Sequence, residues 1–262
     1  MRLVTAVLLL ITIYSCQPKD GEVVSSSGPL FEKIDSSYTL VNFRNDLRFD
    51  KEFNIFTYRN FYNGGGVAIG DINNDGLVDI YFTANQLSNK LYLNKGDFQF
   101  EDITEKAGVG GQRAWSTGVS MADVNGDGWL DIYVCNSGDI EGDNKQNELF
   151  INNGDMTFTE SGEQYGLNDK GYSTHAAFFD YDRDGDLDVY LLNNSYQAIG
   201  SFNLMQNVRP KRDSIGGDKL YRNDNNNFID IPYRNSQAKP NHTAIYSGLF
   251  ADINKIVIVI SV

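Results

Sequence analysis

From residue 66 onward the apolar and polar positions recur in a fixed order. Gly66-Val-Ala-Ile-Gly leads into an Asp- and Asn-rich turn over 71–79. The β-branched and aromatic run Val78-Asp-Ile-Tyr-Phe-Thr follows, then Lys90-Leu-Tyr-Leu-Asn, a turn at Lys95-Gly96, and Phe100-Glu-Asp-Ile-Thr. The same order returns from Gly118-Val-Ser-Met-Ala to Phe158-Thr-Glu, and again from His175-Ala-Ala-Phe-Phe to Phe228-Ile-Asp-Ile. None of these runs has a helical period, so each reads as a strand. Asn-Lys-Gly and Asn-Asn-Gly tolerate positive φ and mark hairpins, with Asn standing in for Gly in the third copy. The first Asp of the turn recurs at 71, 123 and 180, intervals of 52 and 57 residues. A repeated unit of four antiparallel strands is the blade of a β-propeller. The second strands are apolar on both faces, as expected where a blade is covered on both sides. The expected fold is therefore all-β: three complete propeller blades (repeats about 64–108, 116–167 and 174–233) and the start of a fourth (245–262). Residues 30–65, with Tyr-Thr-Leu-Val-Asn-Phe and Asn54-Ile-Phe-Thr-Tyr, suggest two or three further strands.

The turns between first and second strands carry the chemistry. Asp71, Asn73, Asp75 and Asp79 occupy positions 1, 3, 5 and 9 of the first loop. Asp123, Asn125, Asp127 and Asp131 do so in the second, and Asp180, Asp182, Asp184 and Asp188 in the third. Position 6 is glycine each time, which permits a sharp turn. Position 7 (Leu77, Trp129, Asp186) would offer its backbone carbonyl. A hard cation wants six to eight oxygens in a compact shell, so about three calcium sites are expected. An EF-hand is excluded: position 12 is Phe82, Val134 or Leu191, and strands rather than helices flank each loop.

These repeats resemble FG-GAP or VCBS repeats, the calcium-bearing propeller repeats of the integrin α-subunit head and of bacterial surface proteins. More narrowly, Phe61-Tyr-Asn-Gly-Gly-Gly-Val-Ala-Ile-Gly-Asp and Trp115-Ser-Thr-Gly-Val-Ser-Met-Ala-Asp are similar to segments of large Bacteroidetes lipoproteins of the cartilage acidic protein family, across roughly residues 50–253. The resemblance implies calcium ligands at the matching Asp and Asn positions. Such proteins usually continue into further blades and an ASPIC/UnbV domain. Here Gly248-Leu-Phe-Ala-Asp252-Ile-Asn254 begins a fourth loop that Lys255 and an apolar run replace. A fragment of a longer protein is the expectation, with a short form that pairs its edge with another chain as the alternative.

Composition alters this reading in a few places. The formal net charge is −13, and the metal-ligand positions alone account for ten carboxylates. That acidity argues against nucleic acid, whose binding rests on Lys and Arg. Residues 1–16 read as a lipoprotein signal: Met1-Arg2, an apolar stretch too short to span a bilayer, and Ile13-Tyr-Ser-Cys16 in the place of a lipobox. Lipid on Cys16 would anchor an exported, outer-membrane protein facing either the periplasm or the outside; an ordinary secretory signal is the alternative. Residues 17–29 form a Ser- and Gly-rich tether, and 30–262 the repeat region. Cys135 then stands alone, as a small buried hydrophobe. An insertion from about Asn193 to Asp218 carries Phe202, Met205, Arg209, Lys211 and Arg212, a candidate contact for an anionic glycan or acidic protein. The only histidines, His175 and His242, form no catalytic pattern, and no nucleophile elbow, phosphate loop or zinc motif occurs. The sequence reads as a non-catalytic binding or adhesion module. A carbohydrate-active enzyme with its site on the propeller loop face is the alternative.

Overall fold

A computed structural model describes residues 31–58, 60–113, 115–138, 145–194 and 215–231. Residues 1–16, read as a signal with Cys16, residues 17–29, read as a tether, the insertion residues 202–212, His242 and the expected fourth repeat lie outside them. The chain divides into two units, Met1–Asp35 and Ser36–Val262, and every repeat lies in the second.

Three four-stranded antiparallel sheets follow one another. Blade 1 is β1 (Val67–Gly70), β2 (Asp79–Phe82), β3 (Lys90–Asn94) and β4 (Phe100–Asp102). Blade 2 is β5 (Ser116–Ala122), β6 (Asp131–Asn136), β7 (Glu148–Asn152) and β8 (Phe158–Glu160). Blade 3 is β9 (Ser173–Phe179), β10 (Asp188–Asn193), β11 (Lys219–Asn223) and β12 (Phe228–Asp230). The register repeats as well: Ile80 opposes Tyr92, and Ile132 opposes Phe150 at the corresponding place. The fold is all-β with propeller-type blades, as the pattern predicted.

The core lies between blades. Ile72, Tyr81, Leu91 and Ile103 of blade 1 meet Val119, Ile132, Val134 and Phe150 of blade 2. A second cluster joins Val124, Tyr133, Cys135 and Leu149 of blade 2 to Ala176, Val189, Leu191 and Tyr221 of blade 3. Strand β6 is buried along its whole length, and successive side chains point to opposite neighbours. Ile132 and Val134 enter the first cluster, Tyr133 and Cys135 the second. The innermost strands approach closely enough to require glycine. A Cβ at Gly118 would lie 2.3 Å from the Thr174 carbonyl oxygen, and one at Gly66 2.7 Å from that of Thr117. Between these strands the Thr117 hydroxyl donates to Ser173 O (2.7 Å) and the Ser120 hydroxyl to Ala176 O (2.6 Å).

Two features differ from the sequence expectation. Among the described residues of 31–66 there is no strand, only the short helix α1 (Ser36–Thr39) and turns. Side chains there bond to their own backbone instead: Asp50 Oδ1 accepts from the N–H groups of Glu52 and Phe53, and Asn54 Oδ1 from that of Phe56. The aromatic residues serve as packing. Phe43 stacks on Phe82 at 4.8 Å, and Phe53, Tyr58 and Phe61 surround Trp115. The second difference is a one-turn helix after each of the first two blades, α2 (Thr104–Ala107) and α3 (Gly162–Tyr165), closed by left-handed Gly108 and Gly166.

Candidate metal centres

Each metal loop joins the first two strands of its blade and folds through its own carboxylates. The position 1 Asp accepts from the N–H of the position 6 glycine: Asp71 from Gly76 (2.7 Å), Asp123 from Gly128 (2.9 Å), Asp180 from Gly185 (3.2 Å). Those glycines have φ of 85°, 88° and 100°, the left-handed region through which glycine permits the sharp turn. Position 4 is left-handed too, at Asn74, Gly126 and Arg183. That requirement was missed, although Asn and Gly in two of the three copies carried the signal.

The position 9 residues Asp79, Asp131 and Asp188 are fully buried. In each, one oxygen accepts from the second loop residue, Ile72 (2.9 Å), Val124 (2.9 Å) or Tyr181 (2.6 Å). The other accepts from the N–H closing the third strand, at Asn94 (2.8 Å), Asn152 (2.8 Å) or Asn223 (2.9 Å). The side chains of these three asparagines donate back to the loop, to Val78 O, Leu130 O and Leu187 O, while their amide oxygens close the hairpin by accepting from Gly96, Gly154 and Asn226. Asparagines that read as turn residues are thus clasps between loop and hairpin. The turn's positive φ falls two residues on, at Gly96, Gly154 and Asn225. Neighbouring loops are joined as well: Asn152 Nδ2 donates to Ile72 O (2.8 Å), and Asn74 Nδ2 to Gly128 O (3.1 Å).

The donor set fits a hard cation best in the third loop. Asp180, Asp182 and Asp188 each offer an oxygen, all within 4.8 Å of one another. Asp186, foreseen only as a carbonyl donor, lies close enough to feel the charges of this group without joining it, and its carboxylate Oδ1 is buried with no hydrogen-bond partner among the described residues. Burial and then the charge of Asp184 push its carboxyl up to about 6. In the second loop, burial pushes Asp131 up to about 6 against the two backbone N–H groups that favour its charged form, with Asp127 and Asp123 adding repulsion. Asp79 is raised for the same reasons, burial first. Carboxylates gathered this tightly favour either a proton or a cation. In the first two loops Asn73 and Asn125 point their amide N–H at Asp75 and Asp127 (3.0 and 2.8 Å). A half-turn of each amide would present oxygen there instead.

Fold and loops together define blades of the propeller type, each with an Asp-rich turn between its first two strands. Residues 71–134 and 137–191 match the FG-GAP-like repeat, the first stretch beginning at the first residue of a metal loop. Cartilage acidic protein 1 of Xenopus tropicalis is 34% identical over 143 residues, covering 53% of this chain and 21% of that protein. The Homo sapiens protein of the same name is 27% identical over 150 residues, covering 56% of this chain and 22% of its own length. These matches support the FG-GAP repeat family. The chain spans about a fifth of the length of the curated relatives it matches. Neither the repeat's description nor the relatives' name denotes an enzyme.

Proposed function

We propose that this chain is a calcium-stabilised propeller segment that works as a non-catalytic binding module, held at the cell envelope by lipid on Cys16. The observation that carries the metal reading is the third loop, where three carboxylate oxygens converge beside a fourth, buried and unpartnered carboxylate oxygen. Calcium there would relieve carboxylate repulsion and pin β9 to β10, and the matching positions of the first two loops would do the same for their blades. At 100 times its dissociation constant each ion adds about 2.7 kcal/mol.

Thermal unfolding in about 2 mM calcium and again in chelator tests this reading. A cooperative, calcium-dependent rise in melting temperature is expected. Asp127→Ala should lower the melting temperature in calcium and leave it nearly unchanged in chelator; equal losses in both would remove the metal role. Incorporation of labelled fatty acid, abolished in Cys16→Ser, tests the anchor.

A further inference from the structure

The metal loops occupy one end of every blade. Strand direction places the β2–β3 loop and the connector from blade 1 to blade 2 at the opposite end. There an open cleft of about 650 Å3 lies between these two loops and residues 48–53. Its walls are tied together. Arg48 N donates to Gln86 Oε1 (2.6 Å) and Gln86 Nε2 returns a bond to Arg48 O (2.9 Å). Asn85 Nδ2 donates to Ser116 O (2.8 Å), and the Ser88 hydroxyl to Gly110 O (3.0 Å). The buried Glu148 carboxylate accepts from Gln112 N (2.9 Å) and fixes the connector.

Those bonds consume the amides of Asn85 and Gln86 in holding the frame. Arg48 and Gln112 line the cleft, and their side chains make no hydrogen bond or ion pair among the described residues. Arg113 lines it as well, so two arginines border the cleft in a chain whose net charge is −13. Asp50, whose Oδ1 is already held by two backbone N–H groups, supplies an acceptor, and Phe53 and Leu87 supply apolar surface.

We propose that this cleft binds a carboxylate-bearing saccharide. Guanidinium forks match a carboxylate bidentately. Asp50, Ser88 and Gln112 can exchange hydrogen bonds with ring hydroxyls, and Phe53 and Leu87 can cover the C–H face of a pyranose. The volume lies in the usual range for small-ligand pockets. The inference rests on the reading of the chain as a binding module, and it makes no use of the metal loops.

The test is calorimetric titration of the full chain with a glucuronate-containing disaccharide and with its neutral glucose counterpart. Saturable binding of the acidic sugar is expected, with the neutral sugar at least about tenfold weaker. Arg48→Gln should weaken the acidic sugar about tenfold without moving the melting temperature. Arg44→Gln makes the same charge change on the exposed surface, where Arg44 pairs with Asp46, and should leave binding unchanged. Equal binding of both sugars, no acidic binding up to about 10 mM, or equal loss in the two variants would overturn the proposal. Melting curves with and without calcium on the same samples separate the two readings. A calcium gain without sugar binding removes the cleft alone, and sugar binding without a calcium gain supports the cleft and removes the metal sites alone.

Discussion

Within each loop the carboxylates fall into two kinds. Asp75, Asp127 and Asp184 stand exposed and bond locally, whereas Asp79, Asp131 and Asp188 are buried and hold two backbone N–H groups each. Their substitutions should therefore separate. Asp131→Ala leaves the Val124 and Asn152 N–H groups without acceptors in a dry site, and should cost about 2–4 kcal/mol even in chelator, with a further loss in calcium because a proposed ligand goes too. Chemical denaturation in both buffers checks this against Asp127→Ala, whose cost should vanish in chelator. The spacing of oxygen residues identified all of these positions, because local geometry alone places alternate side chains around a tight loop. It did not reveal which ones latch the fold. That depends on where the third strand ends, 15 residues after Asp79 but 35 after Asp188 (79 to 94, 188 to 223).

Among the elements, the strands of the repeat were legible and the segments around them less so. A strand pattern confirmed by two further copies leaves little freedom, and β1 to β12 fall on the runs that announced them. The stretch from 30 to 65 had no second copy. Its aromatic residues suit a strand and suit a packing layer over Trp115 equally well, and the Asp50 and Asn54 side chains decided for turns. Helices of four residues, such as α2 and α3, are too short to show a period. The closeness of the inner strands is also a property of elements. Gly118→Ala would drive a methyl group into the Thr174 carbonyl of the neighbouring blade. Because backbone rather than a flexible side chain must yield, the expected cost is about 2–3 kcal/mol. Hydrogen exchange should then show faster opening of β9 than of β3; uniform acceleration across all three blades would contradict a local wedge.

Across the molecule, ionisable groups sit where blades and connectors meet. Glu148 is buried at the start of β7, where the equivalent residues are Lys90 and Lys219. Burial raises its carboxyl above the ordinary glutamate value, although the Gln112 N–H and Asn136 amide favour the charge. A raised value means that the folded chain holds its proton longer than the unfolded chain. Stability from this group is therefore present at low pH and lost as pH climbs above the ordinary glutamate value. Glu148→Gln should shrink the drop in stability between about pH 4.5 and pH 7, measured by denaturant midpoints in chelator. An unchanged drop would assign it to other carboxylates.

Blade 2 is the one described blade packed between two other blades, and β6 carries its two cores on alternate residues. That arrangement gives the described blades a mechanical order. Under tension applied at the chain ends, blades 1 and 3 each have a single interblade interface among the described residues to lose, and blade 2 has two. Shedding either neighbour strips one side of β6, so the first rupture weakens the next. Extension should show the outer blades yielding before the middle one, with the force of each later event set by what has already come away.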